Sequence, residues 1–197
     1  MNIIDELEWR GAINQQTDAE GLYKLVDQKS ISLYCGIDPT GDSMHIGHLI
    51  PFMILKRFQL AGHHPVILIG GGTGAIGDPS GRTTERVLQT AEQVKHNADS
   101  LTAQMKKLFG EDGSFTMMNN YDWLSKISLL DFLRDYGKLF NINTMLAKDV
   151  VASRMETGIS FTEFSYQILQ SIDYKMLYEK CGVQLQICLL YTSDAAD

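Results

Sequence analysis

The chain has 197 residues, 44% of them hydrophobic, with 17 Lys and Arg against 24 Asp and Glu for a formal net charge of −7. A hydrophobic share of that size, in a chain long enough to bury roughly 70% of its unfolded surface, excludes wholesale disorder. The acidic excess excludes a module that grips nucleic acid through a broad basic face.

Residues 3–29 read as helical, with Ile3, Leu7, Leu22, Leu25 and Val26 recurring among charges and Gly11 and Gly21 as breaks. The first eleven residues carry acids where an export signal needs bases, so export is not expected. Ser32–Ile37 reads as a short strand closed by the turn residues Asp38-Pro39-Thr40-Gly41. Asp42 or Ser43 would then cap a helix from about Met44 to Leu60, with Gly62 ending it. Pro51 lies well inside this helix, where it removes a bond to the Gly47 carbonyl. Leu49 to Leu60 is the longest apolar run, but Lys56 and Arg57 break it and it falls short of the ~20 residues that span a bilayer. Pro65–Ile69 reads as a second, buried strand, and strand-helix-strand in this order implies a parallel sheet. A long polar helix over Thr84–Phe109, a third strand over Met117–Asn120 and a mainly helical stretch from Trp123 to Leu177 complete an α/β pattern without repeats or linkers. Three widely spaced cysteines, Cys35, Cys181 and Cys188, suit a reducing, cytoplasmic setting.

Three motifs carry chemistry. Gly72-Thr73-Gly74-Ala75-Ile76-Gly77 matches G-x-G-x-x-G just after a strand. A dinucleotide fingerprint needs its third glycine inside an opening helix, and here Asp78-Pro79 follows at once, with Pro79 biasing Asp78 away from the helical region. The turn therefore reads as backbone brought close to a ligand, with Asp78 as a carboxylate beside it. His45 and His48 sit at i and i+3 in the first turn of a helix, where free N–H groups and the macrodipole favour anions. With the Thr40 hydroxyl upstream, these imidazoles can donate to phosphate oxygens; a pair of surface histidines is the plain alternative, and a third metal ligand at a telling spacing is missing. Tyr166, Gln170 and Asp173, at i, i+4 and i+7, form one polar stripe about 60° wide. A solvated face is the ordinary reading of such a stripe.

Taken together, Cys35-Gly36-Ile37-Asp38-Pro39-Thr40 with His45-Ile46-Gly47-His48 resembles the nucleotide-binding H-I-G-H element of class I aminoacyl-tRNA synthetases. Tyr34-Cys35-Gly36, the run Gly74 to Ser80, Asn119 to Trp123 and Gly158 to Tyr166 are similar to the tyrosyl-tRNA synthetases of bacterial type, from about residue 1 to Ile187. The resemblance implies a helical segment over 1–30 and a Rossmann-like domain over 31–187, with a helical insert at about 120–158 that serves homodimerisation. It implies activation of L-tyrosine by ATP to tyrosyl-adenylate and pyrophosphate, then transfer to the tRNA for tyrosine, with Mg²⁺ carried by the nucleotide and no protein-bound metal.

By similarity, Cys35, Gly36, Asp38, Thr40, His45, Gly47 and His48 would form the ATP site. Thr40 and His45 would lie at the γ-phosphate end, Gly47 and His48 at the adenosine, and Cys35 at the ribose. Arg82 and Arg86 would clamp the departing pyrophosphate and, with Thr40, His45 and His48, make up the catalytic group. Tyr166, Gln170 and Asp78 would hold the substrate ammonium and Tyr34 and Asp173 its phenol, with Gln186 also lining that pocket. After Ile187 the family continues with Gly-Gly-Ser-Asp-Gln-Trp-Gly-Asn, whereas this chain reads Cys188 to Asp197, with Thr192 in place of the family's downstream glutamine. The family's lysine-rich loop and anticodon-recognising domains do not follow. The expectation is a truncated domain with a foreign tail over 188–197, inactive on its own; the alternative is a non-catalytic fragment that at most binds tyrosine or pairs through the insert.

Overall fold

In this computed structural model, residues 2–77, 89–152, 155 and 158–188 are described. Two short helices open the chain, α1 (Ile3–Trp9) and α2 (Ala19–Gln28). Asn2 caps α1 in a reciprocal box with Asp5. Gly21 does not break the helix as its sequence context suggests. It lies inside α2, where the Asp18 side chain accepts from its N–H and occupies the space a Cβ would fill.

Four parallel strands, β1 (Ser32–Ile37), β2 (His64–Ile69), β3 (Thr116–Asn119) and β4 (Val183–Gln186), stand in the order β3-β2-β1-β4. Helix α3 (Ile46–Leu60) crosses from β1 to β2, and α4 (Ala91–Phe109) precedes β3. The predicted start of that second helix at Thr84 lies outside the described residues; Thr90 caps α4 through Gln93. Helix α3 starts at Ile46 rather than Met44, and its cap is His45, not Asp42 or Ser43. The reason is tertiary: the Met44 N–H and the Asp42 carbonyl are both bonded to the Gln104 side chain. Pro51 is buried inside α3 and the helix continues through it.

After β3 the chain forms a run of short helical pieces: α5 (Tyr121–Leu124), α6 (Leu129–Asp131) passing through a π turn and a 3₁₀ turn, α7 (Ile142–Leu146) and α8 (Asp149–Ala152). The long α9 (Phe161–Cys181) ends at Gly182 in the left-handed region, φ 64°, and turns directly into β4. The strand alternation sorts the core. Leu33, Cys35, Ile37, Ile67 and Ile69 face α1 to α4, while Tyr34, Val66 and Leu68 face α9 and the insert. The first 30 residues therefore belong to the same core as the sheet, through Ile3, Ile4, Leu7 and Val26. No helix among the described residues is long and apolar enough to cross a membrane.

Candidate active site

The strand order turns at β1: the chain steps from β1 to β2 to β3, then returns to place β4 on the other side of β1. Open parallel sheets bind ligands at the carboxyl ends of the strands beside such a turn. The residues following β1, the glycine turn after β2, the Asn119–Asn120 corner after β3 and Gln186 at the end of β4 all gather there.

A continuous chain of polar side chains crosses this end of the sheet. Tyr166 donates to Asp38 Oδ2 at 3.0 Å, and Thr73 donates to Asp38 Oδ1 at 2.6 Å. Asn120 donates to Thr73 Oγ1 at 3.0 Å and to Asp173 Oδ2 at 2.9 Å, while its own Oδ1 accepts from Gly72 N–H at 2.7 Å. Trp123 Nε1 donates to Asp173 Oδ1 at 2.8 Å. Asp173 is 3% exposed, and burial pushes its carboxyl up to about 6, against the pull of the Asn120 and Trp123 bonds and with Asp38 adding to the rise. Close packing explains the glycines beside it: a Cβ on Gly70 would enter the Asp38 carboxylate, and one on Gly74 would lie 2.8 Å from Pro39 Cδ.

Beside Asp173, the Tyr34 hydroxyl is buried without a hydrogen-bond partner among the described residues. Burial first, and the Asp173 charge next, push its ionisation upward, so it stays a donor. Its ring packs on Tyr174 at 5.9 Å, and Tyr174 lines an open cavity of about 300 Å³ together with Gln170, Ser171 and Gln186. A buried hydroxyl with nothing to bond is costly in the free protein. Next to a carboxylate acceptor, it can meet a ligand hydroxyl that both donates and accepts.

The histidine pair stands at the N-terminus of α3. His45 Nδ1 accepts from Gly47 N–H at 3.1 Å, which places the ring's proton on Nε2 as a donor. A Cβ on Gly47 would lie 3.0 Å from His45 Cε1, so the glycine lets the ring lie against the backbone. The His48 ring stacks on it at 3.7 Å. Thr73–Ala75 is a 3₁₀ turn and Gly77 has φ 93°, so the glycine motif does not open an α-helix as a dinucleotide fingerprint would.

Comparison with known proteins decides the family. The model for class I tRNA synthetases (W and Y) matches residues 26–188. The chain belongs to that family. It is 78% identical over 187 residues to tyrosine–tRNA ligase 1 of Enterococcus faecalis, covering 95% of this chain and 45% of the relative. With the tyrosine–tRNA ligase of Latilactobacillus sakei it shares 77% identity over 186 residues, 94% of this chain and 44% of that one. Among solved structures, a C-terminally truncated mitochondrial tyrosyl-tRNA synthetase of Aspergillus nidulans superposes with TM-score 0.85 at 36% identity, over 94% of this chain and 56% of that one. The chain thus spans about half the length of the relatives it matches, and its Rossmann-like parallel sheet is that of the synthetase family.

Set against the family's pattern, the structure brings Tyr34, Asp38, Tyr166 and Asp173 to one end of the sheet and puts Gln170 and Gln186 on one cavity wall. Thr40 and His45 are exposed on the loop after β1, with Gly47 and His48 half-buried behind them and Gly36 open at the strand. Cys35 is 3% exposed and packed in the core, its thiol pushed up to about 12 by burial; in this structure it offers almost no surface to a ligand. Asp78, Arg82 and Arg86 lie outside the described residues. Sequence reasoning missed Thr73, Asn120 and Trp123, whose side chains join Asp38 to Asp173. The sequence held Thr73 in the glycine turn and Asn120 and Trp123 in the Asn119–Trp123 run, but gave none of the three a role.

Proposed function

We propose that this chain is the catalytic N-terminal part of a tyrosine–tRNA ligase. The whole enzyme would join L-tyrosine to ATP as tyrosyl-adenylate, release pyrophosphate and pass tyrosine to its tRNA. The observation that carries the choice of tyrosine is the buried Tyr34 hydroxyl, without a partner among the described residues, beside the buried Asp173 carboxylate. A phenol can donate to Asp173 and accept from Tyr34 at once, whereas phenylalanine leaves the Tyr34 hydroxyl unpaired.

In this reading the substrate carboxylate attacks the α-phosphorus and pyrophosphate leaves, so the protein positions and stabilises rather than reacts. Asp38, Gly36, Gly47 and His48 hold the nucleotide, with Cys35 left in the core beneath them, and Thr40 and the Nε2–H of His45 meet its phosphates. Arg82 and Arg86 stabilise the leaving pyrophosphate, with Mg²⁺ arriving on ATP. Tyr166, Gln170 and Asp78 take the ammonium, and Gln186 closes the pocket wall. Leu129, Leu130, Leu133, Leu139 and Ile142 of the insert are each more than half exposed, an apolar surface of the kind that marks an interface, and this supports homodimerisation through the insert. A cytoplasmic site of action and a tail over 188–197 foreign to the family belong to the same proposal.

The test is tyrosine-dependent ATP–pyrophosphate exchange by the full-length protein carrying this segment, alongside the 197-residue chain, which is expected to be inactive alone. Asp173→Ala should then erode tyrosine binding far more than ATP binding. Equal losses for both substrates at equilibrium would overturn the assignment of Asp173, and exchange driven by tryptophan instead of tyrosine would overturn the substrate.

A further inference from the structure

The loop between β1 and α3 carries Asp38, Thr40 and His45, and from Thr40 to Ser43 it is exposed. Its internal backbone bond is a tight one, Thr40 N–H to the Asp38 carbonyl at 2.8 Å. What grips the rest of it is α4 together with Gln89, two residues before that helix. Asn97 Nδ2 donates to the Pro39 carbonyl at 3.0 Å, and Gln89 Nε2 donates to the Thr40 carbonyl at 2.8 Å. Gln104 donates to the Asp42 carbonyl at 2.9 Å and accepts from Met44 N–H at 3.1 Å. Asn97 and Gln104 are seven positions apart, two turns of helix, and so share a face.

Asn97 is an unexpected residue for its place. It is 1% exposed and interrupts the buried face formed by Val94, Ala98, Leu101, Met105 and Phe109. An apolar residue there would add to the core, and asparagine is a poor former of helix interiors. Its amide is nonetheless fully used: Oδ1 accepts from Gln93 at 2.9 Å, and Nδ2 also donates to Gln89 Oε1 at 3.2 Å. Gln89 is thereby held in the pose that reaches Thr40. From the other side, Gly74 admits Pro39 to its backbone, so the loop is pinched between α4 and the glycine turn.

We infer that α4 is a clamp on the nucleotide loop, with Asn97 and Gln104 as positioning residues that set where Thr40 and His45 meet the phosphates of ATP. The inference rests on the proposed ATP site. Neither side chain touches the reacting atoms; each fixes backbone carbonyls and amides on which the contacting groups are mounted, and small misplacements at a phosphate site are felt strongly in rate.

The test measures tyrosine-dependent ATP–pyrophosphate exchange in the full-length enzyme, varying ATP and tyrosine separately, with urea unfolding beside it. Asn97→Leu keeps the volume and removes the bonds. Gln104→Met does the same at the half-buried end of the clamp and guards against a first variant that fails to fold. Each variant should lose roughly tenfold in kcat/KM for ATP, the scale of a buried hydrogen bond left unmade, while KM for tyrosine stays within about twofold. A merely structural role would move both substrates together or move only the urea midpoint, and either result overturns the clamp. No exchange in the unsubstituted enzyme would overturn the functional reading itself and the clamp with it. Exchange with unchanged ATP parameters in both variants would overturn the clamp alone.

Discussion

Tyr34→Phe should make the free protein more stable and its complex with tyrosine less so. The residue is 2% exposed and its hydroxyl has no partner among the described residues, so deleting one oxygen removes an uncompensated polar group worth roughly 1–3 kcal/mol. The ring contact with Tyr174 at 5.9 Å is kept. For a chain of this size about 1 kcal/mol moves Tm by roughly 2–4 °C, so a rise of a few degrees is expected. Tyrosine at about 100 times its Kd stabilises the unsubstituted protein by about 2.7 kcal/mol. A tenfold weaker complex in the variant would gain about 1.3 kcal/mol less at the same concentration. Thermal and urea unfolding, each with and without tyrosine, measure both effects. A variant less stable than its parent in the free state would mean that the hydroxyl is bonded after all. Equal stabilisation of the two proteins by tyrosine would mean that the hydroxyl does not meet the ligand.

Asp173, raised to about 6 from an ordinary 3.8, contributes stability that is complete below pH 4 and lost as pH rises through about 6. The contribution is about 3 kcal/mol, and Asp173→Asn should flatten that slope in urea midpoints between pH 4 and 7. His63 behaves oppositely: burial lowers its ionisation below the usual value of 6.5, and its Nδ1 accepts from Ile31 N–H at 3.3 Å. Its share of stability is present above pH 6.5 and lost on acidification, so His63→Phe should remove an acid-side loss visible in the same titration, and an unchanged slope would refute this. Gly70→Ala drives a methyl into Asp38 and Thr73; tyrosine binding should fall tenfold or more by calorimetry, on the scale of a disrupted buried network. Leu130→Glu with Leu133→Glu should halve the sedimenting mass of the full-length protein without changing its circular dichroism.

The parts of the fold legible in the sequence were those written in short periods. β1, α3 and β2 follow from alternating and helical spacing plus turn residues, and they came within two residues of their observed ends. β4 did not announce itself, because four residues with two glutamines carry little strand signal and its partner β1 lies about 150 positions earlier. Without β4 the turn in strand order, and hence the location of the site, could not be seen. His45 as the cap of α3 was hidden for a similar reason: the bonds that occupy residues 42 and 44 come from Gln104. The stripe on α9 was legible as a stripe, yet the structure divides it, burying Asp173 while leaving Gln170 exposed. Thr73, Asn120 and Trp123 bond across separations of 35 to 53 residues, and no local pattern encodes a contact of that range.

The polar chain across the sheet end also has a direction. Every hydrogen in it is committed: Trp123 and Asn120 point theirs at Asp173, Asn120 points its other at Thr73, and Thr73 and Tyr166 point theirs at Asp38. All arrows end on the two carboxylates and none leaves them, so the arrangement suits both in their ionised form. Once Asp173 has given up its proton, the result among the described residues is two carboxylates at the strand ends, separated by neutral groups. A molecule entering this mouth is sorted by its orientation, since a positive head is drawn toward the pair and a negative one is turned away from it.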